Sequence, residues 1–304
     1  MKNPKIIIPG GAGFVGRNLV KFLITVVPSE NITVIDKNAD HLQMVKKYGI
    51  KIVEADLSEK GPWYDLFSGQ DIIIHLAAQI SSKYEEDFEK NNIRATENII
   101  EAAKIANVSK IIFFSSAAVL SVRKDPYADT KLRAEECVKK SGLTYCVIQP
   151  SMMYGPTDDK NIGYLISFAK KMPVFPIPGH GRWPRQPIYI DDICRMILHF
   201  LDEFPEKKVY SINGKETIFF TDMINTVFRE LGGFKIRLSL PIPLFKFLMV
   251  TYQKIIRNEQ FTLDQVDSLS SCDVFPEYPW WDEFQIPATS FKDGIHLMLQ
   301  EGNH

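Results

Sequence analysis

The chain has 304 residues, 45% of them hydrophobic, enough for one large domain or two smaller ones with a full core. Its formal net charge of −1 gives neither nucleic acid nor an anionic membrane a chain-wide electrostatic hold, and leaves only a local basic patch for such contacts. The four cysteines, Cys137, Cys146, Cys194 and Cys272, are too far apart in sequence to make a metal-binding pair, so free thiols in a reducing cytoplasm and no metal site are expected.

The chain opens on Lys5-Ile6-Ile7-Ile8, a β-branched apolar run. Pro9-Gly10-Gly11-Ala12-Gly13-Phe14-Val15-Gly16 follows, and then apolar residues at helical spacing through Leu23. So early a strand leaves no room for a signal peptide, and none is expected. The order is strand, glycine turn, helix. Glycine tolerates the positive φ of a tight turn, and its missing side chain lets a pyrophosphate approach the backbone and rest on the helix N-terminus. A second apolar run, Ile32-Thr33-Val34-Ile35, ends at Asp36, twenty residues after Gly16. An acidic residue at that distance is placed to accept hydrogen bonds from an adenosine ribose, so the combination predicts a dinucleotide site. Asp36 should repel a 2′-phosphate, whereas Lys37 could accept one; NAD is favoured over NADP.

Strands are predicted at 5–9, 31–36, 50–54, 71–76, 110–115 and 144–149, with helices near 13–26, 39–47, 62–67, 85–106 and 127–141. Runs such as Ile72-Ile73-Ile74 and Ile111-Ile112-Phe113-Phe114 are continuous rather than alternating, which implies burial on both faces. The pattern predicts an α/β fold with a doubly wound parallel sheet, whose ligands bind beyond the C-terminal strand ends. After Pro150 the alternation stops and prolines crowd into 173–187. A helix is predicted at 191–202, opened by Asp191-Asp192, then a strand at 208–212 and two or three helices between 220 and 300. No apolar run reaches the roughly 20 residues of a membrane span. The longest, Leu238 to Val250, holds two prolines and Lys246; it reads as a loop entering a buried helix, with a membrane-surface helix as the alternative.

Ser115-Ser116 closes the fifth predicted strand, and Tyr127 and Lys131 stand four apart at the start of the next helix, on one face. A phenol titrates near pH ~10 unperturbed; a neighbouring ammonium should lower that value and suit the phenol to proton exchange with a substrate hydroxyl. A serine hydroxyl at the strand end could hold the same oxygen, beside a nicotinamide that moves the hydride. Each residue alone has a plainer explanation: a chance Tyr-x-x-x-Lys, a serine that caps backbone, a solvated lysine. Their placement after the fingerprint and the fifth strand favours the catalytic one.

These pieces resemble the extended short-chain dehydrogenase/reductase superfamily, in its NAD-dependent epimerase/dehydratase branch. The resemblance rests on Gly10 to Gly16, Val34-Ile35-Asp36, Ala55-Asp56-Leu57, His75-Leu76-Ala77-Ala78-Gln79 and Asn92 to Asn98. It continues through Ser115 to Val119, Tyr127 to Lys131, Pro150 to Pro156 and Ile188 to Asp192, covering roughly 10–195. It implies a Rossmann NAD-binding domain over 1–150, with 187–202 returning to it, and a smaller mixed α/β substrate-binding lobe over 151–304. Gly10, Gly13, Phe14, Val15, Gly16, Asp36 and Lys37 would hold the adenosine side and pyrophosphate. Asp56 and Leu57 would flank the adenine, Leu76, Ala77 and Ala78 would line the pyrophosphate, and Asn92 would support the cofactor. Ser115, Pro150 and Met153 would border the nicotinamide. Ser116, Tyr127 and Lys131 would be catalytic, Tyr127 and Lys131 also touching the cofactor. Gln79, Ser116 and Arg185 would meet the substrate, Arg185 through a diphosphate. Family members often dimerise through the helices at 85–106 and 127–141, so a homodimer is expected.

The departures count against a sugar-nucleotide substrate and leave the cofactor site intact. The Ser116–Tyr127 segment is short, Leu120-Ser121 replaces a common Tyr-Gly, and Gln149 stands where arginine usually precedes the proline. Ala117 and Ala118 occupy positions where related dehydratases carry an Asp-Glu pair, which disfavours elimination. Three readings stay open: a nucleotide-sugar epimerase or ketoreductase, a reductase or dehydrogenase of another bulky alcohol or ketone, and a non-catalytic NAD(P)-binding redox sensor or scaffold. Neither nucleic acid nor a membrane span is expected in any of them.

Overall fold

The computed structural model describes residues 3–121, 125–158, 160–256 and 274–301. Its strands are β1 (Ile6–Pro9), β2 (Ile32–Asp36), β3 (Lys51–Glu54), β4 (Ile72–His75), β5 (Lys110–Phe114), β6 (Thr144–Pro150), β7 (Met153–Tyr154), β8 (Val174–Pro178), β9 (Pro184–Arg185), β10 (Ile188–Tyr189), β11 (Lys208–Ile212), β12 (Ile218–Phe219) and β13 (Ile236–Leu240). Its α-helices are α1 (Phe14–Leu23), α2 (Ala39–Lys46), α3 (Glu85–Phe88), α4 (Ala95–Ile105), α5 (Pro126–Lys140), α6 (Ile162–Lys171), α7 (Ile190–Asp202), α8 (Phe220–Leu231), α9 (Ile242–Ile256), α10 (Trp280–Glu283) and α11 (Phe291–Glu301).

The chain divides into two units. The first comprises residues 1–151, 190–212 and 277–287; the second comprises 152–189, 213–276 and 288–304. In the first, seven strands form one sheet in the order β11-β6-β5-β4-β1-β2-β3, every pair parallel. Sequence order runs outward from β1 in both directions, the doubly wound Rossmann arrangement, so the crevice at the switch lies between β1 and β4. The isoleucine runs fill both faces. Ile7, Ile73, Ile111 and Val147 meet Ile99, Ala103, Ala134 and Val138 of α4 and α5. Their strand neighbours Ile6, Ile8, Ile72 and Ile112 are equally buried and point to the opposite face. Thus the absence of period-two polarity along these strands has its physical cause in helices on both sides.

The helix predicted over 85–106 is not uniform. Between α3 and α4, residues Glu89–Arg94 form a π-helical turn. The predicted element at 62–67 is a 3-10 helix that buries Trp63 and Phe67.

The second unit has its own core, in which Tyr154, Trp183, Tyr189, Met223, Ile224 and Phe291 are buried. Its strands form three two-stranded sheets: β10-β7, β12-β9 and β13-β8. The stretch read from sequence as a loop into a buried helix is instead strand β13 followed by α9, and much of its apolar surface is exposed: Leu238, Leu244, Phe247 and Leu248 all face solvent. Apolar composition signalled burial, but of this segment Ile242 packs partly buried against the unit's core. Among the described residues no helix is long and apolar enough to cross a membrane. Cys137, Cys146 and Cys194 are free thiols; Cys272 lies outside the described residues.

The glycine loop ties the first unit together through backbone proximity. A Cβ on Gly16 would lie 2.2 Å from the Gly11 carbonyl oxygen, so α1 can start where it does only with hydrogen there. Gly16→Ala is expected to lower unfolding stability by about 1–3 kcal/mol, as overpacking does, and urea unfolding of the nucleotide-free protein measures it.

Candidate active site and cofactor cradle

The first cluster forms where β1, β2 and β4 end. Gly10 has φ +77°, and a Cβ there would stand 2.3 Å from the Ala77 nitrogen. That approach is locked by hydrogen bonds: Gly10 N–H donates to the Ile35 carbonyl (2.7 Å), while Leu76 and Ala77 N–H donate to the Pro9 carbonyl (2.8 and 3.0 Å). Proline at position 9 therefore keeps the acceptor that matters here. Gly13 caps α1 without a side chain, and the first turn, Phe14-Val15-Gly16, carries no acidic residue. The helix thus offers free N–H groups and its positive end to an anion. Asp36, at the end of β2, accepts from the Ala12 N–H (3.1 Å) and the Asn38 N–H (3.1 Å), which fixes its carboxylate beside the loop. Lys37 donates instead to Asn91 Oδ1 at 2.9 Å.

Asp56 accepts from the backbone and hydroxyl of Ser58 and pairs with Lys90 at 3.2 Å. Burial opposes its ionisation, but these bonds prevail and its carboxyl lies below the ordinary value. Leu57 is buried, and Ala78 is exposed at the loop after β4. The cradle fits a dinucleotide: two positions that a methyl would fill, an uncapped helix start and a fixed carboxylate stand on consecutive strand ends.

The second cluster forms where β5 meets α5. Ser116 Oγ accepts the Ala118 N–H at 3.2 Å, so it caps the short 3-10 helix Ala117–Leu120. The same hydroxyl hydrogen-bonds Tyr127. Capping and substrate contact are thus compatible roles for one side chain. Asp125 caps α5 by accepting the Ala128 N–H (2.7 Å), and Pro126 occupies its first turn, which fixes where Tyr127 emerges.

Lys131 is not a solvated helix residue; it is 2% exposed. Its Nζ donates to the Phe114 carbonyl at 2.5 Å and lies 4.3 Å from the Phe113 ring centroid. This corrects the sequence expectation of a phenol acidified by its lysine. Burial raises Tyr127 above its ordinary value, the Ser116 bond offsets part of the rise, and the Asp125 carboxylate adds to it. Lys131 itself is pulled down to about 7 by burial, with Glu135 opposing. One helix face does not guarantee that the ammonium points at the phenol; here it turns to the strand end.

Asn92 sits at the π-helical turn and makes three bonds. Its Oδ1 accepts the Gln79 N–H (2.7 Å), and its Nδ2 donates to the Gln79 carbonyl (3.1 Å) and Thr130 Oγ1 (3.0 Å). It therefore joins the loop after β4 to the helix that carries Tyr127 and Lys131. Thr96 donates to the Asn92 carbonyl (2.6 Å) and lies 2.9 Å from His75 Nε2. Burial holds His75 well below its ordinary value, Lys131 adding to the effect. Thr96 and Thr130 were missed as site residues in the sequence; their i, i+4 relation to Asn92 and Pro126 was the available signal. Buried Ser115 Oγ and His75 Nδ1 have no protein partner.

Gln149, where the sequence departs from its family, donates to both oxygens of buried Glu135 (3.2 and 2.9 Å). Lys139 supplies the charge at 2.7 Å. An amide here keeps the geometry and leaves the ion pair to the helix. Pro150 ends β6. Met153 and Arg185 belong to the second unit; Arg185 is buried and donates to the Pro184 carbonyl at 2.7 Å.

The Lys131 shift has a measurable sign. Below about 7 the lysine is protonated whether the chain is folded or not. Between about 7 and the ordinary value of 10.5, the unfolded chain holds a proton that the folded chain lacks, so stability rises with pH. Urea unfolding between about 7 and 8 should show a slope approaching one proton in the nucleotide-free wild type, and Lys131→Met should remove it; above about 9 the Cys146 and Cys194 thiols, pushed up by burial, give a slope of the opposite sign.

Residues 6–213 match the NAD dependent epimerase/dehydratase family. A 3β-hydroxysteroid-dehydrogenase/decarboxylase from Arabidopsis thaliana is 23% identical, the match covering 98% of this chain and 62% of the plant protein. A 4-hydroxy-2-methyl-3-oxo-4-farnesyl-3,4-dihydroquinoline-1-oxide ketoreductase from Stigmatella aurantiaca is 23% identical over 75% of this chain and 73% of its own. Among solved structures, a UDP-glucose 4-epimerase from Thermotoga maritima with UDP-glucose superposes with a TM-score of 0.77 at 19% identity, covering 98% of this chain and 99% of the other. That likeness is one of fold. With the family match extending from the first strand to the end of β11, the chain belongs to the NAD dependent epimerase/dehydratase family.

Proposed function

We propose that the chain is an NAD-dependent enzyme that oxidises and reduces a hydroxyl-bearing carbon of a nucleotide sugar, as an epimerase or a ketoreductase. The observation that carries this reading is the Tyr127–Ser116 hydrogen bond at the end of β5, with buried Lys131 one turn further along α5. When bound, the nicotinamide supplies the place to which hydride goes and from which it returns.

Ser116 holds the substrate oxygen and orients it toward Tyr127. In the reducing direction the phenol, kept protonated by burial, gives its proton to the oxygen as the carbon receives hydride; in the oxidising direction the phenolate takes it back. Lys131 holds a nicotinamide ribose from the end of β5, where its Nζ donates to the Phe114 carbonyl. Gly10, Gly13, Phe14, Val15 and Gly16 seat the pyrophosphate, Asp36 the adenosine ribose. The carboxylate at Asp36 supports NAD over NADP, and Lys37, engaged by Asn91, is not poised for a 2′-phosphate. Ala117 and Ala118 leave the 3-10 helix without a carboxylate, which disfavours dehydration.

The second reading, a reductase of a bulky lipophilic alcohol or ketone, is favoured by the names of two relatives, a 3β-hydroxysteroid-dehydrogenase/decarboxylase and a farnesyl-dihydroquinoline-oxide ketoreductase. Arg185, the candidate for a sugar-nucleotide diphosphate, is spent partly on the Pro184 carbonyl, which also suits this reading.

The purified protein should release NAD on denaturation. Offered UDP- and dTDP-hexoses and, separately, isoprenoid or sterol ketones with NADH, it should turn over one class. Tyr127→Phe should lower that turnover by about 100-fold or more, with bound nucleotide and melting temperature unchanged. A Phe variant as active as wild type removes the catalytic role of Tyr127, and tight binding of NADP overturns the cofactor assignment.

A further inference from the structure

The second unit carries an apolar face whose charge surroundings differ from the rest of the chain. Strand β13 runs parallel to β8 with Ile236 opposite Val174 and Leu238 opposite Pro176. Ile236, Leu238 and Val174 are all exposed, and Met172 just ahead of β8 is exposed as well. Phe234, which leads into β13, is 79% exposed. An edge strand that shows water this much aliphatic surface normally pairs, is covered, or bears charges that prevent pairing.

Helix α9 follows directly and packs against β8. Ile242 anchors it by packing against the core, and Phe245, Met249 and Val250 are half-buried. Leu244, Phe247, Leu248 and Thr251 are exposed; they stand at i, i+3, i+4 and i+7 and so form one stripe. Apolar residues at that spacing usually mark the face a helix buries. Here Phe247, at the centre of the stripe, is 67% exposed.

Charge identifies what covers it. Residues 231–256 contain Lys235, Arg237, Lys246 and Lys254 and no acidic residue, and residues 160–190 contain Lys160, Lys170, Lys171, Arg182 and Arg185 and no acidic residue. These are the two segments that pair as β8 and β13. In a chain of net charge −1, these two segments carry nine lysines and arginines and no aspartate or glutamate. Lys170 and Lys171 are exposed just ahead of β8, next to Met172; Arg237, between Ile236 and Leu238, projects from the other face of the strand pair, opposite Phe175. Exposed aromatic and aliphatic side chains on two segments that carry lysine and arginine but no carboxylate match an anionic bilayer surface: acyl chains accept the apolar stripe and headgroup phosphates the cations. A second copy of the chain would bring the same cations to meet their like.

We propose that β13, the adjoining edge of β8 and the outer stripe of α9 form a docking face for an anionic lipid bilayer, on which the protein sits peripherally. This proposal is independent of the chemistry assigned to Tyr127; it concerns where the protein works, not what it converts.

The full-length protein is sedimented with vesicles of phosphatidylcholine alone and of phosphatidylcholine mixed with phosphatidylglycerol. It should pellet with the mixed vesicles, stay in solution with the neutral ones, and be released by high salt. Phe247→Ser should weaken partitioning about tenfold, from lost apolar burial, and Lys171→Gln about fivefold, from one lost headgroup attraction. Both side chains are exposed, so both variants should keep the wild-type melting temperature and nucleotide content. Wild-type protein that stays in solution with mixed vesicles overturns the proposal. So do variants that bind as wild type does. Concentration-dependent dimers that Phe247→Ser dissociates, without vesicle binding, assign the face to a second copy and equally overturn it.

Discussion

Two missing side chains hold the first unit's ligand end together. Gly10 lets the turn after β1 press against the backbone of Ala77, and Gly16 lets α1 rise directly over Gly11. With those approaches made, the Pro9 carbonyl can collect both the Leu76 and Ala77 N–H groups, and the ends of β1, β2 and β4 become one surface. Any side chain at either position would push α1 or the β4 loop outward, and Asp36 would lose its bond to Ala12. The cradle is therefore made by backbone meeting backbone. Side chains enter only at its rim.

From that surface a polar chain leads to Ser116 and Tyr127. The loop after β4 continues to Gln79, whose backbone is gripped on both sides by Asn92. Asn92 reaches Thr130, the neighbour of Lys131 on α5. The Ser116 hydroxyl closes the circuit from β5 to Tyr127. Asn92 and Thr130 are buried, Gln79, Ser116 and Tyr127 half-buried, and all have partners. A buried network that is fully bonded specifies one arrangement, whereas a partly bonded one is costly. The two orphaned atoms, Ser115 Oγ and His75 Nδ1, stand out against this background.

Much of the first unit was readable from the residues because its order is local and repetitive. Apolar runs of four to six residues, alternating with amphipathic helices, fix the strand positions to within a residue or two, as β1 and β4 show. The glycines and Asp36 were readable because their constraint is steric and short-range. The electrostatics were not. Spacing put Tyr127 and Lys131 on one helix face, but the destination of the ammonium depends on the Phe114 carbonyl, which arrives from a different strand. The π-helical turn was hidden for the same reason: it is stabilised by bonds from Asn92 to residues 13 and 38 positions away. In the second unit, paired segments such as β8 and β13 are distant in sequence and rich in proline, so no local period announces them. Apolar content at 238–250 was read as interior, since composition carries no information about which face a fold leaves bare.

The π-helical turn at Glu89–Arg94 has a further consequence. Successive residues of an ordinary helix are turned about 100° from one another. One residue too many within a continuous helix leaves α3 and α4 out of phase, so the stacking of Phe88 over Ile99 that an even pitch would give across eleven residues is offset. Removing a single residue would make a better helix in isolation and would turn every side chain of α3 by about 100° relative to α4. Local helical ideality is given up in the turn where the Asn92 amide meets Gln79.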